Sequence, residues 1–172
     1  MNRIRPVLAG AAALAAVASL SACSDIASEA AAGPEHGQPG HVMLSAATAA
    51  GVGTVVTDVD GKTLYRFDKD LSQPPTSNCD GECAAAWPPV LAGTGSPMLK
   101  GIQDTQVTTL TRKDGSKQLA LNGWPLYEFA GDKQAGQANG QGVNGAWFAV
   151  APDGSKITTG GQAQPAAGGS GY

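Results

Sequence analysis

The chain states one pattern twice. Asp60-Gly61-Lys62-Thr63-Leu64-Tyr65-Arg66-Phe67-Asp68-Lys69-Asp70 aligns with Asn122-Gly123-Trp124-Pro125-Leu126-Tyr127-Glu128-Phe129-Ala130-Gly131-Asp132, and the Gly, Leu, Tyr, Phe and final Asp coincide. Upstream, Val42 to Ala47 and Thr54 to Val59 match Val107 to Arg112 and Ser116 to Leu121; downstream, Trp87 and Val90 match Trp147 and Val150. A duplication with a period of about sixty residues confines the chain to folds in which two like units bury a shared face.

Each unit reads as three strands in a meander. Thr54 to Val59, then Asp60-Gly61, then Lys62 to Phe67 predicts a hairpin, because Asp-Gly tolerates the positive φ angles of a type I′ turn. Asp114-Gly115 and Asn122-Gly123 repeat the signal. Tyr65 and Phe67, like Tyr127 and Phe129, are two apart and share a strand face, with Arg66 and Glu128 on the other side. Eight of the nine aromatic residues fall in the two units, so they must supply much of the buried apolar area. Core packing is therefore preferred to an aromatic ligand platform. The expected fold is mostly β: two pseudo-repeated three-stranded meanders packed as a small sandwich or partly closed barrel, with a short turn or helix between Cys79 and Ala86.

The N-terminus sets the address. Arg3 and Arg5 precede an apolar run from Val7 to Leu20, which has the pattern of a secretory signal and is too short to span a bilayer comfortably. Its ending, Leu20-Ser21-Ala22-Cys23, resembles the bacterial lipobox. That resemblance implies cleavage before Cys23 and a diacylglyceryl group on its thiol, with two or three acyl chains giving stable attachment. Plain secretion with Cys23 free is the alternative. The expected organisation is a leader over 1–22, a lipidated flexible tether over 23–40, one β domain over 41–158 with repeats at about 41–92 and 105–152, and a disordered tail over 159–172. The site of work is then the extracytoplasmic face of the cell membrane or outer membrane.

Loss of the leader removes Arg3 and Arg5 and leaves 9 basic against 14 acidic side chains, the basic ones mostly scattered singly. Clustered cations that neutralise phosphates are missing, so a nucleic-acid partner is set aside. With Cys23 lipidated, Cys79 and Cys83 are the remaining thiols and are expected as a disulfide, since the compartment is oxidising and their spacing allows the bond if the segment turns. Thiol exchange is disfavoured: the spacing is not Cys-x-x-Cys, and Asp80 and Glu82 would raise a neighbouring thiol pKa.

Other chemistry finds little purchase. Asp58, Asp60, Asp68, Asp70, Asp80 and Glu82 offer hard oxygens, but no stretch matches the EF-hand loop. Asp70 and Asp132 are expected to accept backbone N–H bonds at their strand ends. His36, His41 and Met43 could serve a borderline or soft ion such as copper, yet both histidines sit in or beside the tether. No metal set and no cofactor is assigned. Gly-x-Ser-x-Gly and His-Glu-x-x-His are absent, and no nucleophile has a histidine base within the core.

Tyr65/Phe67/Asp70 and Tyr127/Phe129/Asp132 form a repeated Tyr-x-Phe-x-x-Asp motif. It is accompanied by Cys79-Asp80-Gly81-Glu82-Cys83-Ala84 running into Trp87-Pro88-Pro89, by Gly123-Trp124-Pro125, and by Asn139-Gly140-Gln141-Gly142 ahead of Trp147. The combination resembles a bacterial family of lipoproteins with a repeated Tyr-x-aromatic-x-x-Asp motif, a secreted repeat of unknown function. The resemblance implies an exported lipoprotein and supplies no catalytic residue. The expected function is a membrane-anchored, non-catalytic binding or envelope-interaction module whose partner is an envelope protein or small ligand. The rival is a redox or metal/haem-handling lipoprotein linked to extracytoplasmic electron transfer; a cell-wall enzyme ranks third.

Overall fold

A computed structural model describes residues 40–158 and, as backbone alone, 162–164. The leader, Cys23, the tether apart from Gly40, and the rest of the tail lie outside the described residues. In chain order the elements are β1 (Met43–Ala49), β2 (Gly53–Thr57), β3 (Tyr65–Phe67), β4 (Leu71–Ser72), β5 (Pro75–Thr76) and the one-turn helix α1 (Glu82–Ala86). They continue with β6 (Met98–Lys100), β7 (Val107–Thr111), β8 (Lys117–Leu121), β9 (Trp124–Pro125), β10 (Trp147–Ala149), β11 (Lys156–Thr158) and β12 (Gln162–Gln164).

The fold is mostly strand, as expected, and is spread over five small sheets with no closed barrel among the described residues. β7, β8 and β9 make a three-stranded antiparallel meander. In the first unit β1 and β2 form the hairpin, and the third strand adds a bridge between Thr57 and Thr63. One pairing was not foreseen: β6, in the linker, runs parallel to β1, with Leu44 opposite Leu99.

The two units do not close on themselves. Val56 N–H donates to the Val150 carbonyl (2.8 Å), Val150 N–H to Leu64 (3.0 Å) and Leu64 N–H to Val56 (2.8 Å). In the second unit Leu119 N–H donates to Val90 (2.8 Å), Val90 N–H to Leu126 (2.9 Å) and Leu126 N–H to Leu119 (3.0 Å). Each hairpin is thus completed by the tail of the other unit. Buried backbone groups need partners, and the exchange supplies them to short strands that could not pair within one unit. At the centre Tyr65 and Tyr127 exchange both backbone bonds, at 2.8 and 2.9 Å. The same six residues, with Leu44 and Leu121, form one apolar cluster. The rings of Tyr65, Phe67, Trp87, Tyr127 and Trp147 make the other, together with Cys79 and Ile157.

Turn chemistry refines the sequence reading. Among described non-glycine residues only Asn122 and Asn144 have positive φ, so of the three expected turns only Asn122-Gly123 (φ 48° and 82°) is a type I′ pair. At Asp60-Gly61 the Gly61 N–H donates back to the Asp58 carbonyl, Gly61 sits at φ 75°, and the Asp58 carboxylate accepts from the N–H groups of Asp60 and Lys62. This is a three-residue loop with a type I turn and a glycine bulge. Gly115 repeats the arrangement, its N–H donating to Arg112.

Candidate functional site

The motif residues meet at the pseudo-two-fold centre, because the backbone bridge between Tyr65 and Tyr127 carries each ring toward the opposite unit. The Tyr65 hydroxyl donates to Asp132 Oδ2 at 2.6 Å, and the Tyr127 hydroxyl to Asp70 Oδ2 at 2.7 Å. Each carboxylate also caps its own following loop: Asp70 accepts from Asn78 N–H (2.7 Å) and Asp132 from Asn139 N–H (2.9 Å). The backbone role matches the sequence reading, whereas the phenol across the repeat was not visible in it.

Between the tyrosines lies a stack of rings. Trp87 and Trp147 face each other with centroids 3.8 Å apart and planes 1° from parallel. Phe67 stacks on Trp147 at 4.2 Å and Phe129 on Trp87 at 4.3 Å. Tyr65 meets Trp87 edge-on at 5.4 Å, and Tyr127 meets Trp147 likewise at 5.2 Å. All eight motif residues, Tyr65, Phe67, Asp70, Trp87, Tyr127, Phe129, Asp132 and Trp147, are therefore brought together.

Burial governs the electrostatics. Desolvation, aided by the adjacent carboxylates, pushes both phenols above the ordinary phenol range. Desolvation also pushes Asp70 up to about 6, against the lowering effect of its bonds from Tyr127 and Asn78 and the charge of Arg112. Neither tyrosine is thereby made a base or nucleophile at neutral pH, since raised pKa values hold both phenols protonated.

The two halves differ around this centre. Buried Arg112 donates through Nη1 to Ser77 Oγ and Gln118 Oε1, both at 2.7 Å, and through Nη2 to the Cys79 carbonyl at 2.6 Å and Asp80 at 3.2 Å. Ser77 Oγ in turn stands 2.8 Å from the Tyr127 hydroxyl. Cys79 and Cys83 are disulfide-bonded with Cα atoms 5.2 Å apart, and Cys83 accepts from Trp87 N–H, so α1 carries the tryptophan. In the second unit Gly140 occupies the place of Cys79. Its N–H donates to the Tyr65 oxygen at 3.2 Å, and a Cβ there would lie 2.8 Å from both Trp87 and Tyr65 atoms. One loop is held by a bond and the other by close packing. Sequence reading missed Arg112, Gln118 and Ser77; an arginine and a glutamine in a β hairpin carry no local signal of burial.

A second asymmetry lies at the surface. Sequence alternation turns Arg66 away from the core, yet it is buried, with its guanidinium 3.3 Å from the centroid of Trp124. The corresponding pair, Lys62 and Glu128, forms only a half-exposed ion pair at 3.8 Å. Beside it a groove of about 330 Å³ remains, walled by Met43, Val59, Val90, Leu91, Asp58 and Glu128 among others. Val59 and Leu91 are 43% and 48% exposed there. Burial raises the carboxyl pKa of both Asp58 and Glu128. Among the described residues no three His, Cys, Asp or Glu side chains gather as a metal set. Met43 lines the groove, and His36 and Cys23 lie outside the described residues.

No curated protein and no solved structure matches the chain. A family model described as a secreted repeat of unknown function matches it twice, at residues 47–91 and 108–151, once for each of the exchanged units. Each match spans one Tyr-x-Phe-x-x-Asp motif, and the chain belongs to the family of secreted repeats of unknown function.

Proposed function

We propose that this protein is an extracytoplasmic binding module, anchored through lipid on Cys23, which acts without catalysis and engages an envelope protein or small ligand at the groove beside Lys62 and Glu128. The observation that carries the reading is the mutual satisfaction of the motif. Tyr65, Asp132, Tyr127 and Asp70 use their polar atoms on one another and on loop N–H groups, in positions 0 to 4% exposed. Such groups organise a scaffold. The groove, in contrast, joins accessible apolar side chains to carboxylates, the mixture that ligand sites use for area and orientation.

The test has two arms. Palmitate labelling of producing cells should mark the protein and be lost in Cys23→Ala, while export continues; a labelled Cys23→Ala chain contradicts the anchor. Cross-linking on intact cells should give adducts with wild type that disappear in Leu91→Asp and Glu128→Lys but persist in Thr108→Asp, on the exposed face of β7. Adducts indifferent to the groove changes contradict the binding face.

A further inference from the structure

We propose that Tyr65, Trp87, Trp147 and Tyr127 form a buried relay along which an oxidising equivalent passes from one phenol–carboxylate pair to the other. This goes beyond the binding reading and does not depend on it. The four rings run in unbroken contact, at 5.4, 3.8 and 5.2 Å between successive centroids. They belong to the two residue types whose rings most readily give up one electron. Phe67 and Phe129 flank the tryptophan pair and screen it.

Two features are more than packing requires. Ring quadrupoles favour offset or edge-on pairs with centroids about 4.5–7 Å apart, whereas Trp87 and Trp147 lie closer, plane on plane. That geometry maximises orbital overlap at the expense of quadrupole repulsion. The second feature is a buried carboxylate on each phenol, where an amide or water would satisfy the hydroxyl at a smaller desolvation cost. An oxidised phenol is a very strong acid. It loses its electron easily only when a base stands ready for its proton, and Asp132 and Asp70 stand 2.6 and 2.7 Å away.

The step balances. A one-electron oxidant of the oxygen-radical or high-valent-metal class takes one electron from Tyr65; the phenolic O–H bond breaks and its proton passes to the Asp132 carboxylate, leaving a neutral phenoxyl radical beside a neutral acid. An electron then moves from Tyr127 through Trp147 and Trp87 to Tyr65. The Asp132 proton returns to the Tyr65 oxygen, and the Tyr127 proton passes to Asp70. A one-electron reductant of the thiolate class restores Tyr127, itself becoming a thiyl radical, as Asp70 gives back the proton. The oxidant needs no contact with the buried rings, since electrons tunnel through packed protein.

Photogenerated ruthenium(III) tris-bipyridyl, applied to the exported chain with Tyr172→Phe as background, supplies the probe. Electron paramagnetic resonance with ring-deuterated tyrosine should detect a neutral tyrosyl radical in the folded protein with the hyperfine pattern of Tyr127, and Trp87→Phe and Trp147→Phe should each hold it on Tyr65 instead, with the pattern that Tyr127→Phe gives. Asp70→Asn combined with Asp132→Asn preserves the shape of both sites. It should suppress the tyrosyl signal and leave a tryptophan radical in its place, which covers the case of a tryptophan variant that does not fold. A tyrosyl yield unchanged in the Asp variants, or radical confined to Trp124, overturns the proposal.

Discussion

The Tyr65 hydroxyl donates to Asp132 of the other unit at 2.6 Å, and not to Asp70 five residues along in its own unit. Asp70 instead receives Tyr127. The motif that looks local in sequence is thus two interlocked halves, each completed by the other. The same exchange governs the backbone, where Val150 completes the first hairpin and Val90 the second.

Removing one phenolic hydroxyl leaves a buried carboxylate short of a donor. Tyr65→Phe should therefore destabilise by about 1–3 kcal/mol, read as a lower urea midpoint with an unchanged slope. Loss of less than about 0.5 kcal/mol would place the bond outside the stabilising framework.

Asp70 gives the fold a pH signature. Its carboxyl is raised to about 6 in the folded chain, against about 3.9 in an unfolded one. Between these values the native state binds more protons than the unfolded state, so the contribution of Asp70 is full below pH about 4 and is lost as pH rises through about 6. Stability measured from pH 4 to 7 should fall by about 1–2 kcal/mol relative to Asp70→Asn, which lacks the titration. Parallel pH profiles for the two proteins would contradict it.

The loop anchors should respond differently to change. Gly140→Ala drives a methyl to 2.8 Å from Trp87 and Tyr65 atoms, and should cost about 1–3 kcal/mol. Reducing the Cys79–Cys83 bond opens a ring of a few residues and should cost about 2 kcal/mol by chain entropy. Thermal unfolding with and without reductant, on wild type and Gly140→Ala, checks both.

Arg66 and Trp124 should act as a pair. Trp124→Lys, copying the first repeat, removes the ring under a buried guanidinium whose Nε lacks a hydrogen-bond partner. A loss of about 1–3 kcal/mol is expected. The reciprocal change, Lys62→Trp at the half-exposed ion pair, should shift stability by less than about 1 kcal/mol.

The duplication, the strands and the Cys79–Cys83 bond were legible in the sequence because each leaves a local trace: a repeated string, alternating β-branched residues with turn glycines, two cysteines in an exported chain. The exchange between units left none, since aligning Tyr65 with Tyr127 establishes equivalence and is silent on which partner each contacts. Arg66 misled for a related reason: alternation assigns a strand face, but the cover over that face came from Trp124, distant in sequence. A usable clue existed in the mismatch of the repeats, where Lys62 and Glu128 stand in place of Trp124 and Arg66. Arg112 and Gln118 stayed hidden because a buried cation is licensed by acceptors from a separate loop, here Ser77, the Cys79 carbonyl and Asp80.

A double-mutant cycle on the full chain tests the interlocked motif most directly. Tyr65→Phe with Asp132→Asn should give a coupling energy of about 1 kcal/mol or more, while Tyr65→Phe with Asp70→Asn should add within about 0.5 kcal/mol. Coupling in the same-unit pair, with additivity across units, would contradict the account.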